Sequence, residues 1–214
     1  SAMRMIIWFS LPIAMLMFFC RGYIVSIIDR GGNGTIAMLL GIFCLAIFLR
    51  SVFHIMSRSF YAFQDTKTPL LVSLVTLAVS VGLEIWLVLG WHMGAGGIAW
   101  AQVIWALLEL TSLTVLILRR VPNLFDSEFW HKISRMLIAC GVMSVVTYLM
   151  VQRINLKFEN QNMIMVLIPL AVIGTVSTLV YLGVSRLLRI EEAEPIITKL
   201  GRIVSGRFML GKDK

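Results

Sequence analysis

Two apolar runs, residues 36–56 and 70–89, flank the polar segment 57–69 (Ser-Arg-Ser-Phe-Tyr-Ala-Phe-Gln-Asp-Thr-Lys-Thr-Pro), and this juxtaposition restricts the fold more than any other feature. Apart from Arg50 and His54, the first run is almost continuously apolar; the second carries Glu84 as its single charge. About twenty residues rising ~1.5 Å each cross the ~30 Å hydrocarbon core of a bilayer. Inside that core every backbone polar group must be bonded internally, so both runs are expected to be helices. The segment between them is then a helix–turn–helix joint at the membrane surface. Thr68 ahead of Pro69 predicts that the second helix is capped by the Thr68 hydroxyl and starts at the proline, where a missing N–H costs nothing.

The remainder of the chain repeats this pattern. With 59% hydrophobic and 14% charged residues and a mean hydropathy of +0.90, the composition lies far from that of a soluble domain. The expected fold class is an all-α integral membrane protein with six spans, at about 5–28, 36–60, 69–91, 96–118, 134–152 and 163–187. They form one polytopic domain over residues 1–187. The first run is too long for a signal peptide and lacks its cleavage flank. Residues 188–214 form a basic tail in which Ile196, Ile197, Leu200, Ile203 and Val204 oppose Lys199, Arg202 and Arg207, predicting an amphipathic surface helix.

The net charge of +8 could suggest a nucleic-acid partner, but the charges sort by membrane side. With the N-terminus cytoplasmic, fourteen of the 19 Lys and Arg fall in inner segments and four in outer ones, leaving Arg50 within a span. The positive-inside rule therefore predicts that both ends of the chain are cytoplasmic. A basic tail held near anionic lipid accounts for the charge, with no role for nucleic acid.

Arg50, His54 and Arg58 recur every four residues and so share one helical face. A mid-span arginine costs on the order of 3 kcal/mol unless paired or hydrated. Two readings follow. In one, the stripe lines a water-filled cavity and binds a diphosphate, whose oxygens match guanidinium forks. In the other, Arg50 is in a buried ion pair and Arg58 snorkels to the surface. Glu84 and Glu109 are the two carboxylates inside spans and serve as candidate counter-charges. Counting from the outer face at ~1.5 Å per residue places Arg50 and Glu109 both about 20 Å deep and Glu84 about 10 Å deep, which predicts an Arg50–Glu109 pair.

In the joint, Asp65 and Thr66 are expected to cap backbone donors, with Asp65 also offsetting Arg58 or Lys67. Phe60 and Tyr61 are expected at the interface. Pro12 and Pro169 interrupt the first and last spans and predict kinks. Cys20, Cys44 and Cys140 read as packing residues, and the three histidines are too scattered to assemble a metal site. No Ser-His-Asp order, glycine-rich phosphate loop or CxxC points to an enzyme, and no cofactor is expected.

Arg58, Phe60-Tyr61-Ala62 and Gln64-Asp65-Thr66-Lys67-Thr68-Pro69 together resemble the signature elbow of the MurJ (MviN-type) lipid II flippases. These are a branch of the multidrug/oligosaccharidyl-lipid/polysaccharide (MOP) exporter superfamily. Leu11-Pro12-Ile13-Ala14 and the stretch 94–101 echo the family on either side, so the resemblance covers roughly residues 5–120. It implies export of undecaprenyl-diphosphate carrying the peptidoglycan disaccharide–pentapeptide across the bacterial cytoplasmic membrane by alternating access, without covalent chemistry. Coupling would come from an ion gradient or the membrane potential. The family fold implied is two six-helix lobes followed by two groove-forming helices. The first four spans here would match the later part of the second lobe and the last two the groove pair, making the chain a C-terminal portion. The resemblance also implies partners: the polyprenyl-diphosphate glycolipid, membrane lipids, the N-terminal part of the same protein and the cell-wall synthesis machinery. It places His54 where the family often has a basic residue. An exporter of another polyprenyl-linked oligosaccharide or of drugs remains the alternative, and an intramembrane enzyme a third class.

Overall fold

A computed structural model describes residues 2–29, 33–121, 127–154, 163–188 and 190–193. Six long helices run through them: α1 (Ala2–Ile28), α2 (Gly34–Ala62), α3 (Lys67–Ile85), α4 (Ala95–Arg120), α5 (Ser127–Arg153) and α6 (Met163–Leu187). All six are long and apolar enough to cross a membrane. The expected helix over 196–210 lies outside the described residues.

Helix order in space differs from order in sequence. α4 packs on both α2 and α3, so consecutive α2 and α3 scarcely touch. α1 lies on the other side of α2 and carries the α5–α6 pair. Small residues permit the close approach of α2 and α4: Ala46 faces Ala106 and Val103, and all three are buried. The elbow halves of these two helices are sealed by Phe53, Met56 and Phe60 against Leu113 and Ile117. Much of the remaining apolar surface, such as Leu70, Leu74 and Val75 on α3, is exposed as lipid-facing residues are.

α5 starts at Ser127, ahead of the hydropathic run expected from residue 134. Its polar first turns hold together through Lys132, whose ammonium lies 2.6 Å from Glu128. Beyond α6, a short 3-10 turn (Glu191–Ala193) folds back onto α1. Ile190 and Ala193 are buried in the core beside Trp8, and Glu192 pairs with Arg4 at 3.1 Å. The start of the tail is therefore docked.

Pro12 removes the helical N–H that would bond to the Trp8 carbonyl one turn earlier. That orphan is filled from another helix: the Tyr181 hydroxyl of α6 donates to it at 2.9 Å. The Trp8 ring N–H in turn donates to the Ser185 hydroxyl at 3.3 Å. The proline thus creates the acceptor by which α1 and α6 are joined. Tyr181→Phe is expected to cost about 1 kcal/mol, as interhelical bonds in membranes do. In a Pro12→Ala background, where the restored backbone N–H can satisfy the carbonyl, the cost should shrink; thermal melts of the four proteins in detergent measure the coupling.

The far end of α3 opens into a single π turn, Trp86–Gly90, beside the start of α4. Gly94 in the connection has φ +55 and ψ −137, a conformation that L side chains rarely adopt. A Cβ on Gly97 would lie 3.2 Å from the Leu87 Cβ and 3.3 Å from the Leu87 backbone carbon. Gly97→Val is therefore expected to destabilise by about 1–3 kcal/mol through overpacking, measured as a lowered Tm.

Candidate functional site

On α2, α3 and α4 the polar groups collect in two places, the elbow and a seam among the three helices. At the elbow, α2 ends when the Gln64 N–H bonds the Tyr61 carbonyl at 2.9 Å and the Asp65 N–H bonds the Phe60 carbonyl at 3.1 Å. Gln64 has φ +59, the left-handed residue of a Schellman-type stop. The Asp65 carboxylate then accepts the Thr68 N–H at 3.0 Å and the Thr68 hydroxyl at 2.7 Å, and it forms an ion pair with Arg120 at the end of α4. Asp65 thus fastens three helix ends, that of α2 through its backbone N–H and those of α3 and α4 through its carboxylate. The Thr68 backbone and hydroxyl bonds, reinforced by Arg120, hold the Asp65 carboxyl down to about 2.

Several expectations for the elbow are corrected here. α3 begins at Lys67, so Thr68 and Pro69 lie inside its first turn and Thr66 occupies the cap position without a side-chain bond. The Asp65 carboxylate is the cap, because it reaches an N–H that a Thr68 hydroxyl within the helix cannot. Asp65 is offset by Arg120, since α4 returns beside the elbow, while Arg58 and Lys67 are not its partners among the described ion pairs. Phe60 is fully buried against protein, sharing the α4-facing side of α2 with Phe53 and Met56. Tyr61 is exposed.

The seam begins at Arg50. Its guanidinium carbon sits 3.9 Å from the centre of the Trp105 ring on α4, a cation–π contact, and its Nη2 is buried without a hydrogen-bond partner. Glu109, one turn further along α4, is buried, with Ser73 of α3 and Arg50 and His54 of α2 as its polar neighbours. Among the described residues, Arg50 and Glu109 are not within ion-pair distance. The expected direct pair is therefore not formed: Trp105 holds the guanidinium, and Glu109 lies near it without contact at ion-pair distance. His54 and Arg58 continue the stripe on an exposed face of α2.

Glu84 lies at the other end of the seam. Gln102 donates to it at 2.9 Å and Ser80 at 3.4 Å, so its immediate partners are neutral. Between the two carboxylates, Trp105 donates from its ring N–H to the Thr76 hydroxyl at 3.3 Å. Ser73, Thr76, Ser80, Gln102 and Trp105 are the seam members that reading charges alone overlooks. Their signal is in the sequence: Ser73, Thr76, Ser80 and Glu84 recur at three- and four-residue steps, as do Gln102, Trp105 and Glu109. The seam offers charge and hydrogen-bond donors for binding, with an arginine donor still free.

Six bilayer-length helices, three of which form an ionisable seam, define a multi-pass α-helical membrane protein. A family model described as lipid II flippase MurJ matches residues 1–169, and the chain belongs to that family, whose members are transporters rather than enzymes. A curated protein of Thermotoga maritima, described as a probable lipid II flippase MurJ, is 32% identical over 163 residues, which is 76% of this chain and 30% of that protein. The chain thus spans less than a third of that relative's length. No solved structure matches it.

Proposed function

We propose that this chain forms part of a lipid II flippase that moves undecaprenyl-diphosphate-linked muropeptide across the bacterial cytoplasmic membrane by alternating access. The observation that carries this reading is the family match over residues 1–169, together with an elbow that ties the start of α3 to the end of α4 through one carboxylate. Arg50 and His54 would face the diphosphate: Arg50 has an unused N–H in a low-dielectric setting, where a charge-assisted bond to phosphate is strong. Ser73 and Glu109 would set the field around them, and the elbow would keep α2, α3 and α4 moving as one unit against the rest of the full-length protein. The lipid-linked precursor, bilayer lipids and the enzymes of cell-wall synthesis are the partners of that activity.

The test is complementation of a flippase-depleted bacterium by the full-length protein, paired with an assay of labelled lipid II reaching the outer leaflet. Arg50→Ala is expected to lower export about tenfold at unchanged abundance, the loss of one charge-assisted contact. Unchanged export would remove Arg50 from the site, and failure of the unsubstituted protein to rescue would overturn the lipid II reading itself.

Both ends of this chain are proposed to be cytoplasmic, from the basic asymmetry. Cysteines placed at Gln64 and His92 report it: His92→Cys should react with an impermeant maleimide in intact cells and Gln64→Cys should not. The reverse pattern would invert the topology.

A further inference from the structure

We propose that the groove between α1 and α2 is a binding site for an anionic phospholipid of the bilayer, with one acyl chain along the groove and the headgroup phosphate on Arg21. The groove encloses about 640 Å3, within the roughly 300–1,000 Å3 range of small-molecule sites. Its walls are apolar, built from Leu11, Ala14 and Phe18 of α1 and Gly41, Cys44 and Phe48 of α2. Gly41 keeps it open: a Cβ there would lie 3.2 Å from Arg21 Cδ and 3.4 Å from the Phe18 ring. From Leu11 to Arg21 the helix rises about 15 Å, half of the ~30 Å hydrocarbon core and so the depth of one leaflet.

The polar end of the groove supplies the headgroup site. Arg21 Nη1 donates to the Phe18 carbonyl at 2.9 Å, and its guanidinium carbon is 4.6 Å from the Phe18 ring centre. Among the described residues no carboxylate comes within ion-pair distance of it. Arg21 is thus held at the mouth of the groove with guanidinium donors to spare. Gly34, the first residue of α2, lines the same end, and the start of this 29-residue helix adds a field that favours an anion.

The two ends of the groove together select the occupant. An apolar helix would suit the walls but leave Arg21 unmatched, and free phosphate would leave the walls uncovered. An anionic amphiphile with a chain one leaflet deep satisfies both. The site lies apart from the seam and does not rest on the lipid II reading.

The test uses the full-length protein in nanodiscs containing equal parts of phosphatidylglycerol and phosphatidylcholine, with one lipid at a time carrying a diazirine on its acyl chain. Photolabel should map to peptides covering residues 11–21 and 34–48, and phosphatidylglycerol should label them about tenfold more than phosphatidylcholine, whose phosphate charge is offset by its own trimethylammonium and so is held less strongly by Arg21. Arg21→Gln should abolish that preference, Arg21→Lys should restore part of it, and Ala37→Phe, which fills the groove, should reduce labelling by both lipids. Equal labelling by the two lipids in the unsubstituted protein, or a preference that survives Arg21→Gln, would overturn the proposal. So would a crosslinker placed at Cys44 that captures another segment of the same protein in place of lipid.

Discussion

Asp65→Ala in the full-length protein is expected to abolish rescue of a flippase-depleted strain, the largest loss of any single change at the elbow. The substitution removes the cap of α3, the hydroxyl contact of Thr68 and the ion pair to Arg120 at once, releasing the start of α3 and the end of α4 from each other. Asp65→Asn retains an acceptor for the Thr68 N–H but loses the charge, so it should keep more activity. Arg120→Ala should fall between the two, and Thr68→Ala should be mild because the cap belongs to Asp65. The double variant Asp65→Ala/Arg120→Ala should be little worse than Asp65→Ala alone, since the two residues share one node. Full rescue by Asp65→Ala at normal membrane abundance would reduce the node to a turn without consequence.

The node also sets a pH window. The Asp65 carboxyl is depressed to about 2 in the folded protein, against an ordinary value near 3.8, so its stabilising contribution is fully present above the ordinary value. It is lost as pH falls toward 2. Protease cleavage at the elbow of protein in detergent should therefore increase between about pH 4 and pH 2, and Asp65→Asn should remove that increase.

The second large effect is expected at Glu109. Glu109→Leu leaves the Arg50 guanidinium in the membrane without the nearby carboxylate, and a lone mid-membrane arginine costs on the order of 3 kcal/mol. The folded yield and Tm of Glu109→Leu should fall accordingly. Arg50→Leu/Glu109→Leu should recover most of the stability, because replacing two buried charges with apolar groups is often neutral or better. It should not recover export if Arg50 meets the diphosphate. Equal stability of Glu109→Leu and the unsubstituted protein would show that Trp105 and water are enough for Arg50. No recovery in the double variant would show that Glu109 acts through Ser73 and α3.

The elbow and the seam differ in how far the sequence exposes them. The polar joint between two apolar runs identifies the elbow, and its residue pattern points to the family. Yet the pattern offers Arg58 and Lys67 as partners for Asp65, being near in the chain, while the partner used is Arg120, fifty-five positions away. Equal depth singles out Arg50 and Glu109 as neighbours, but depth is one coordinate only. Rotation about the helix axes places Trp105, and not Glu109, over the guanidinium.

By itself the sequence determined the number of bilayer-length helices, because an apolar run of about twenty residues has no other low-energy conformation in hydrocarbon. It determined the position of the elbow, where polar residues must leave the lipid, and family membership, which the match over residues 1–169 shows. Tertiary structure alone decided that α4 lies between α2 and α3, that Phe60 is buried, and that Tyr181 fills the carbonyl freed by Pro12. Hydropathy ranks segments by their preference for lipid, and six segments share that preference nearly equally. Which helix faces which is settled by close contact between small residues and by the need of each buried polar group for a partner, and both depend on side chains distant in the chain.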